Sequence, residues 1–293
     1  MTLMSVEELT ARLSAADAPE RLRVADVRWY LGRPGAGRAA YGAGHIPGAV
    51  FVDLDLDLSD PAGYGAPGRH PLPTAEAFRR RMEALGMGSD TFVVGYDDSG
   101  GTTAARLWWM LDNLGHRGGA AVLDGGIGAW VAAGLPLSTE LASYPPAKLV
   151  LAQNWRNVIA RQDLASRLGT VNLLDARAPE CYRGEVEPID LIAGHIPTAL
   201  SAPTAANLDE SGHFLSREAL RDRYLALLVR NKPAVTACGS GTTACHNALA
   251  MRIAGLPDPI LYPGSYSDWT RSGMPVATGA EPGSLQHHSV EPR

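Results

Sequence analysis

The sequence AGHIPGAV at residues 43–50 returns almost unchanged as AGHIPTAL at residues 193–200. Three further pairs of segments repeat in the same order, namely VADVR (24–28) with LLDAR (173–177), FVVGYDDSGGTTAARLWWML (92–111) with PAVTACGSGTTACHNALAM (233–251), and LDGGIGAWVAAGLPL (123–137) with LYPGSYSDWTRSGMPV (261–276). Self-similarity that spans nearly all of a chain indicates a duplicated structural unit. The 293 residues are therefore predicted to form two copies of one domain.

Each copy alternates short β-rich runs with helical patterns. In the first copy, for example, Phe78, Met82 and Leu85 fall on one helical face. Strands that alternate with helices predict an α/β fold in which a parallel sheet is covered on both faces. The predicted domains are residues 1–137 and 157–293, joined by a linker at 138–156 whose Tyr144-Pro145-Pro146 step indicates extended backbone.

Cys238 follows the β-rich run 234–237 and opens a glycine-rich turn. A phosphate-binding P-loop would lead into Lys and then Ser or Thr, but here Gly241 is followed by Thr242 and Thr243. A cysteine-dependent phosphatase would carry an arginine six residues after the cysteine to clamp phosphoryl oxygens. That position is Ala244, so both kinds of phosphate site are disfavoured.

The remaining interpretation is a loop that stabilises a sulfur anion. Backbone N–H groups that lead into a helix, predicted to begin near Thr242, favour an anion. The anion would be the Cys238 thiolate or a persulfide built on it, and the pKa of this thiol is predicted to lie below that of free cysteine. The alternative is a buried structural cysteine at a strand end, as is predicted for Cys245, two helical turns further on.

Composition limits the kinds of partner. The net charge is −5 without basic blocks, which argues against nucleic acid and anionic membranes. The N-terminus MTLMSVEELTARLSA has no continuous apolar stretch, so we expect neither a signal peptide nor a membrane anchor. Three scattered cysteines give neither a disulfide framework nor a zinc pair. We expect a cytoplasmic protein without a metal or organic cofactor.

Two GHIP motifs, two Asp-x-Arg strand ends and a CGSGTTA loop closed by GSYSDW resemble the tandem-domain rhodanese family of sulfurtransferases. The resemblance covers about the full chain and implies two rhodanese-like domains, each with a central parallel sheet flanked by helices. The loop is more similar to that of 3-mercaptopyruvate sulfurtransferases than to that of thiosulfate-preferring rhodaneses, which carry basic residues after the cysteine. Because the first copy has Asp97 where the second has Cys238, residues 1–137 are interpreted as a catalytically inactive copy.

The resemblance implies an enzyme that moves a sulfane sulfur from 3-mercaptopyruvate or thiosulfate through a Cys238 persulfide to a thiol or cyanide. Backbone amides of the loop would bind the sulfur, and the residues assigned to this are Gly239, Gly241, Thr242 and Thr243. The implied partners are a small-molecule sulfur donor and an acceptor thiol, such as a thioredoxin-like protein or a small dithiol. The alternative is a persulfide carrier or thiol-sensing binding module with little turnover.

The family's catalytic relay can be placed on this chain. Its histidine matches His70 in GRHPLP, and its aspartate matches Asp55 in DLDLDLSD, although Asp53 and Asp57 are also possible. With Ser240 these residues would handle the proton of the enolate that leaves mercaptopyruvate. The alternative is that His70 is an ordinary loop histidine and that the aspartates are solvated or capping residues.

The segment ECYRGEVEPID (180–190) departs from the family pattern. The family places an arginine directly before the aromatic residue to bind the donor's anionic group, whereas this chain has Cys181 before Tyr182. A second arginine, common in mercaptopyruvate sulfurtransferases, is replaced by Ile189. Arg183 is the nearest cation and would lie on the same side as Cys181 if the segment is extended. Cys181 is expected in the pocket of Cys238, either as a packing residue or as a resolving thiol.

Some residues occur in both copies and are interpreted as scaffold, because only one copy has the cysteine. They are Asp26 with Arg28, Asp175 with Arg177, and the GHIP histidines His45 and His195.

Overall fold

The computed structural model describes residues 2–60 and 68–284, which group into two α/β units. Unit 1 contains the described residues 2–60, 72–156 and 208–216, and unit 2 contains 68–71, 157–207 and 217–284. Each unit thus includes a short segment from the other half of the sequence. The predicted linker 138–156 groups with unit 1, and the end of the second predicted domain, residues 285–293, lies outside the described residues.

Unit 1 is built on a parallel sheet with the strand order β1-β5-β4-β2-β3. Its strands are β1 (Leu3–Met4), β2 (Leu22–Asp26), β3 (Val50–Phe51), β4 (Phe92–Tyr96) and β5 (Ala120–Leu123). Its helices are α1 (Val6–Leu13), α2 (Ala18–Arg21), α3 (Ala36–Ala43), α4 (Ala75–Ala84), α5 (Ala104–Asn113) and α6 (Gly126–Ala132).

The sequence of unit 1 accounts for these elements. Helix α1 begins with a capping box, in which the Ser5 hydroxyl accepts from the N–H of Glu8 while the Glu8 carboxylate accepts from the N–H of Ser5. All five residues of β2 are buried, as expected of a strand paired on both sides and covered on both faces. The core includes Met4, Tyr96 and Trp130.

Unit 2 repeats this plan with the parallel strand order β7-β6-β8-β9. Its strands are β6 (Asn172–Asp175), β7 (Leu200–Ser201), β8 (Ala234–Ala237) and β9 (Ile260–Leu261). Its helices are α7 (Arg161–Arg167), α8 (Pro179–Arg183), α9 (Arg217–Leu227), α10 (Ala244–Ile253) and α11 (Ser265–Arg271), with a 3₁₀ turn at Thr204–Asn207. The predicted duplication of an α/β unit is confirmed, and the core of unit 2 includes Leu173, Val235 and Trp269.

The residues interpreted as scaffold make the same contacts in both units. Arg28 binds Asp26 and donates to the carbonyl of Gly44, and Arg177 likewise binds Asp175 and donates to the carbonyl of Gly194. The ring of His45 stacks on Tyr41, and that of His195 stacks on Tyr182, with centroids 4.0 and 3.8 Å apart. These paired contacts fix the two GHIP turns, as expected of residues that occur in both copies.

The segment 138–156 packs along unit 1 rather than leaving it. The Tyr144 hydroxyl donates to the carbonyl of Gly48, and the Arg23 guanidinium lies 3.6 Å from the centre of the Tyr144 ring. Among residues 2–60 and 68–284, no helix has the length and apolar character required to cross a bilayer.

Candidate active site

Cys238 lies directly after β8, at the carboxyl edge of the unit 2 sheet where ligands bind in open α/β folds. Helix α11 fixes the backbone of its loop. The carbonyls of Cys238 and Gly239 accept hydrogen bonds from the N–H groups of Tyr266 and Ser267. The N–H of Cys238 donates to the Ser265 hydroxyl at 3.0 Å, and Ser265 adopts a left-handed φ of 53° to present it.

The loop also donates to the sulfur. The N–H of Gly241 lies 3.1 Å from the Cys238 sulfur, and the side chain of Cys238 is only 2% exposed. Gly241 has φ of 81°, and a Cβ there would lie 2.2 Å from the Pro263 carbonyl oxygen, so only glycine fits. The buried Thr242 hydroxyl has no hydrogen-bond partner within residues 2–60 and 68–284. Thr243 is the N-cap of α10, and this arrangement can stabilise negative charge on sulfur.

His70 lies in unit 2 beside the cysteine loop, although it comes from the first half of the sequence. Its Nδ1 atom is 2.7 Å from the Ser240 hydroxyl oxygen, and both residues are buried. The adjacent backbone is fixed by a hydrogen bond from the N–H of Arg69 to the Ser267 hydroxyl. The structure thus brings together two members of the predicted relay, whose catalytic role stays a prediction.

The three candidate aspartates have different surroundings within unit 1. Asp53 accepts from the N–H groups of Asp55 and Leu56, and Asp57 accepts from the N–H of Asp53. Burial raises the pKa of Asp57. Both therefore stabilise their own turn. Asp55 instead accepts from the distant Trp29 indole N–H at 2.9 Å, and it stays the predicted relay residue.

Two arginines lie beside Gly239, and sequence reasoning did not assign either to the site. A Cβ on Gly239 would lie 2.7 Å from Nη2 of Arg69 and 4.0 Å from Cδ of Arg177. Arg69 is paired with Asp190 at 2.5 Å. The signal that could have found Arg69 is its position directly before His70.

Arg177 is more than scaffold, because its guanidinium also stacks 3.9 Å from the centre of the Tyr266 ring. Burial disfavours its charge, but the carboxylates of Asp175 and Glu187 outweigh burial and raise the pKa of Arg177. Nη1 of Arg177 and Nε of Arg69 are buried and have no hydrogen-bond partner among the residues that the structure describes. These charged donors can serve an anionic ligand.

The condition under which Arg183 would lie on the same side as Cys181 is not met, because residues 179–183 form helix α8 rather than an extended segment. Residues two apart on a helix point about 200° apart, so Arg183 does not share a side with Cys181. The Arg183 guanidinium donates to the carboxylate of Glu185, and both are at the surface.

Cys181 is half-buried on α8, within the electrostatic field of Arg177. Burial raises the pKa of the Cys181 thiol, against the opposing effect of Arg177 and with a further rise from Glu187. A raised pKa leaves less thiolate, which does not favour a resolving nucleophile. Cys245 is fully buried, as predicted for a packing residue.

In unit 1, the loop equivalent to that of Cys238 contains the carboxylate of Asp97. Asp97 follows β4 as Cys238 follows β8, and it is fully buried. Its two oxygens accept from backbone N–H groups at 2.8–2.9 Å, and the donors are Ser99, Gly101, Thr103 and Ala104. A fixed carboxylate in place of a thiol is what the interpretation of an inactive copy predicts for this loop.

Comparisons with known proteins match both halves of the chain. The family model of the rhodanese-like domain matches residues 5–133 and again 160–272. A probable 3-mercaptopyruvate sulfurtransferase of Pseudomonas aeruginosa is 46% identical over 94% of this chain and 98% of that protein. A putative thiosulfate sulfurtransferase of Mycobacterium tuberculosis is 38% identical over 94% of this chain and 97% of that protein. The solved 3-mercaptopyruvate sulfurtransferase of Leishmania major has a TM-score of 0.80 at 29% identity, over 92% of this chain and 74% of that one.

Proposed function

Because the chain belongs to the rhodanese family, we propose that this sulfurtransferase takes its sulfur from 3-mercaptopyruvate in preference to thiosulfate. The family, the tandem fold and the sulfurtransferase class expected from the sequence are confirmed by the matches to both halves and by relatives that bear that name. The donor preference rests on one observation, the 2.7 Å contact between His70 and Ser240.

In the proposed first step, the Cys238 thiolate attacks the sulfur of 3-mercaptopyruvate. The new S–S bond forms as the C–S bond breaks, and the electron pair of the C–S bond leaves with carbon as the enolate of pyruvate. The enolate takes a proton and becomes pyruvate, and the buried Ser240 hydroxyl with His70 behind it can deliver that proton. Sulfite, the leaving group of thiosulfate, needs no such proton. A proton relay therefore favours mercaptopyruvate.

In this proposal, Arg69 and Arg177 bind the anionic group of the donor. Their guanidinium groups lie beside Gly239, and Nε of Arg69 has no hydrogen-bond partner among the described residues, while Nη1 of Arg177 has the Glu187 carboxylate 3.5 Å away as an ion-pair partner. If they bind the donor's carboxylate, they replace the two arginines that the family has at the positions of Cys181 and Ile189. Charged donors aimed at a carboxylate are worth about 1.5–3 kcal/mol each, which is enough to fix the donor's orientation.

In the second step, an acceptor thiolate or cyanide attacks the outer sulfur of the Cys238 persulfide. The S–S bond breaks, and the Cys238 thiolate is regenerated as the leaving group. The N–H of Gly241, 3.1 Å from the sulfur, stabilises the negative charge that appears there in both steps.

The second candidate function, a persulfide carrier with little turnover, is favoured by Cys181 at the position of the family's donor-binding arginine. A carrier would accept one sulfur per chain and stall, whereas an enzyme would turn over. We also propose a reducing compartment, the cytoplasm, because the reaction needs Cys238 as a free thiol.

The experiment is a donor panel with the purified chain, read as kcat/KM with cyanide and with dithiothreitol as acceptors. We expect repeated turnover and a higher kcat/KM with 3-mercaptopyruvate than with thiosulfate. A clear preference for thiosulfate would contradict the proposed donor. A single turnover with either donor would favour the carrier.

A further inference from the structure

One loop of unit 2 concentrates apolar side chains at the surface. It follows helix α8 and spans residues 185–192, and we call it the acidic-apolar loop. Four of its eight residues are large, exposed and apolar, namely Val186 (50% exposed), Ile189 (40%), Leu191 (96%) and Ile192 (44%). Exposed apolar side chains that cluster in this way mark interaction sites more often than scattered ones do.

Three contacts connect the acidic-apolar loop to the loop of Cys238. The Asp190 carboxylate pairs with Arg69 at 2.5 Å, and the Glu187 carboxylate lies 3.5 Å from Arg177. Both arginines lie against the residue after the reactive cysteine. The third contact is the carbonyl of Ile192, which accepts from the hydroxyl of Tyr266 at 2.9 Å.

Tyr266 in turn donates its N–H to the carbonyl of Cys238. Each contact therefore places the acidic-apolar loop one residue away from the catalytic loop. The exposed apolar side chains therefore belong to a segment that is fixed to the catalytic loop.

Charge adds a second property to this surface. Residues 180–192 contain one cation, Arg183, against four carboxylates, which are Glu180, Glu185, Glu187 and Asp190. Glu187 and Asp190 are paired with the buried Arg177 and Arg69, and the exposed Glu185 is paired with Arg183, so the exposed Glu180 leaves the outer surface of this segment with a net negative charge. A partner that binds this segment gains from basic side chains that complement its net negative charge.

We propose that the acidic-apolar loop is the docking surface for a protein sulfur acceptor whose reactive thiol is surrounded by apolar and basic residues. This inference rests on the proposed function, and it assigns to that function a macromolecular second substrate. Small acceptors such as cyanide need no such surface. A symmetric contact with a second copy of this chain would bring two surfaces of the same net charge against each other, which disfavours that occupant.

The transfer itself balances with a dithiol acceptor. One acceptor thiolate attacks the outer sulfur of the Cys238 persulfide, the S–S bond breaks, and the Cys238 thiolate and an acceptor persulfide result. The second acceptor thiol attacks the inner sulfur of that persulfide and releases hydrogen sulfide. The sulfane sulfur is reduced, and the two acceptor thiols are oxidised to a disulfide.

The test uses the full chain with 3-mercaptopyruvate as donor and three acceptors, reduced thioredoxin as the protein dithiol, dithiothreitol and cyanide. The double variant Val186→Ser/Leu191→Ser removes the two most exposed apolar side chains of the loop. We expect kcat/KM for thioredoxin to fall about tenfold, the scale of losing apolar interface contacts, and to stay unchanged for both small acceptors. Leu225→Ser, a half-exposed leucine on α9, is the matched control and should leave all three values unchanged.

Three results would overturn the docking surface while leaving the proposed function intact. The first is a wild-type kcat/KM for thioredoxin no higher than for dithiothreitol, and the second is equal losses with all three acceptors in the variant. The third is a wild-type dimer in sedimentation that the double variant converts to monomer without a thioredoxin-specific loss. Loss of turnover with every acceptor in the wild type would instead contradict the proposed function.

Discussion

The imidazole of His70 lies 2.7 Å from the hydroxyl of Ser240, although 170 residues separate them in the chain. Ser240 is two residues after Cys238 in a loop that α11 holds in place. His70 is fixed to the same unit through its neighbour Arg69, whose N–H donates to Ser267. Because backbone contacts hold His70 in this position, its imidazole is suited to exchange a proton with Ser240.

The first prediction separates the two donors through His70. His70→Ala should lower kcat/KM for 3-mercaptopyruvate by about 10²–10⁴-fold, the range for a general acid or base, because the enolate loses its proton source. Thiosulfate turnover in the same variant should fall much less, since sulfite needs no proton. Steady-state kinetics with cyanide as acceptor measure both. Equal losses for the two donors would assign His70 a structural role.

The second prediction identifies the nucleophile. Cys238→Ser should lower sulfur transfer by about 10³-fold or more, because a hydroxyl is a far poorer nucleophile at neutral pH. Cys245→Ser, at a buried position in α10, is the matched control and should retain turnover. Mass spectrometry after incubation with donor alone should show one added sulfur on the wild type and none on Cys238→Ser. Retained activity in Cys238→Ser would place the chemistry elsewhere.

The third prediction asks which arginine binds the donor. Arg69→Ala should raise KM for 3-mercaptopyruvate about 10- to 150-fold, the equivalent of about 1.5–3 kcal/mol for a charged hydrogen bond. Arg183→Ala is the matched control, because Arg183 is paired with Glu185 at the surface, and it should change KM less than twofold, as expected for an exposed ion pair. A large rise in KM for Arg183→Ala, with little change for Arg69→Ala, would instead support Arg183 as the donor-binding residue expected from the sequence.

The outcome at Arg183 shows where sequence reasoning fails. Repeats and strand patterns placed β8 and Cys238 correctly because they depend on residues that are near in sequence or duplicated. Arg69 approaches Gly239 from the first half of the sequence, and the sequence signal that points to it is its position directly before His70. Arg183 would share a side with Cys181 only in extended backbone, but Pro179 occupies the first turn of a helix here and residues 179–183 form α8. Because the segment is helical, the Arg183 side chain does not lie on the same side as that of Cys181.

The fourth prediction concerns Cys181, whose pKa is raised chiefly by burial. At pH 8 Cys181 should react with iodoacetamide more slowly than a free cysteine, and its labelling should increase only as the pH rises above the usual range for a thiol. Peptide mass mapping of partly labelled protein gives the rate. Cys181→Ser should then turn over as the wild type does. Rapid labelling, with a Cys181–Cys238 disulfide after mild oxidation, would instead favour a resolving thiol.

The last prediction concerns the loop of unit 1, where Asp97 occupies the position that Cys238 has in unit 2. Asp97 is fully buried, and four backbone N–H groups donate to its carboxylate. Removing the carboxylate leaves those donors without an acceptor in the protein, so Asp97→Ala should lower the free energy of unfolding by about 3–5 kcal/mol.

Urea denaturation followed by circular dichroism measures this loss. Asp98→Ala, at the exposed neighbouring position where the carboxylate accepts from the Tyr30 hydroxyl, is the matched control and should cost less than about 1 kcal/mol. At urea concentrations below its unfolding transition, the Asp97→Ala variant should still form the Cys238 persulfide, because the nucleophile and its loop belong to unit 2. An Asp97→Ala protein as stable as the wild type would show that water satisfies the loop amides and that the carboxylate is not needed to hold the loop.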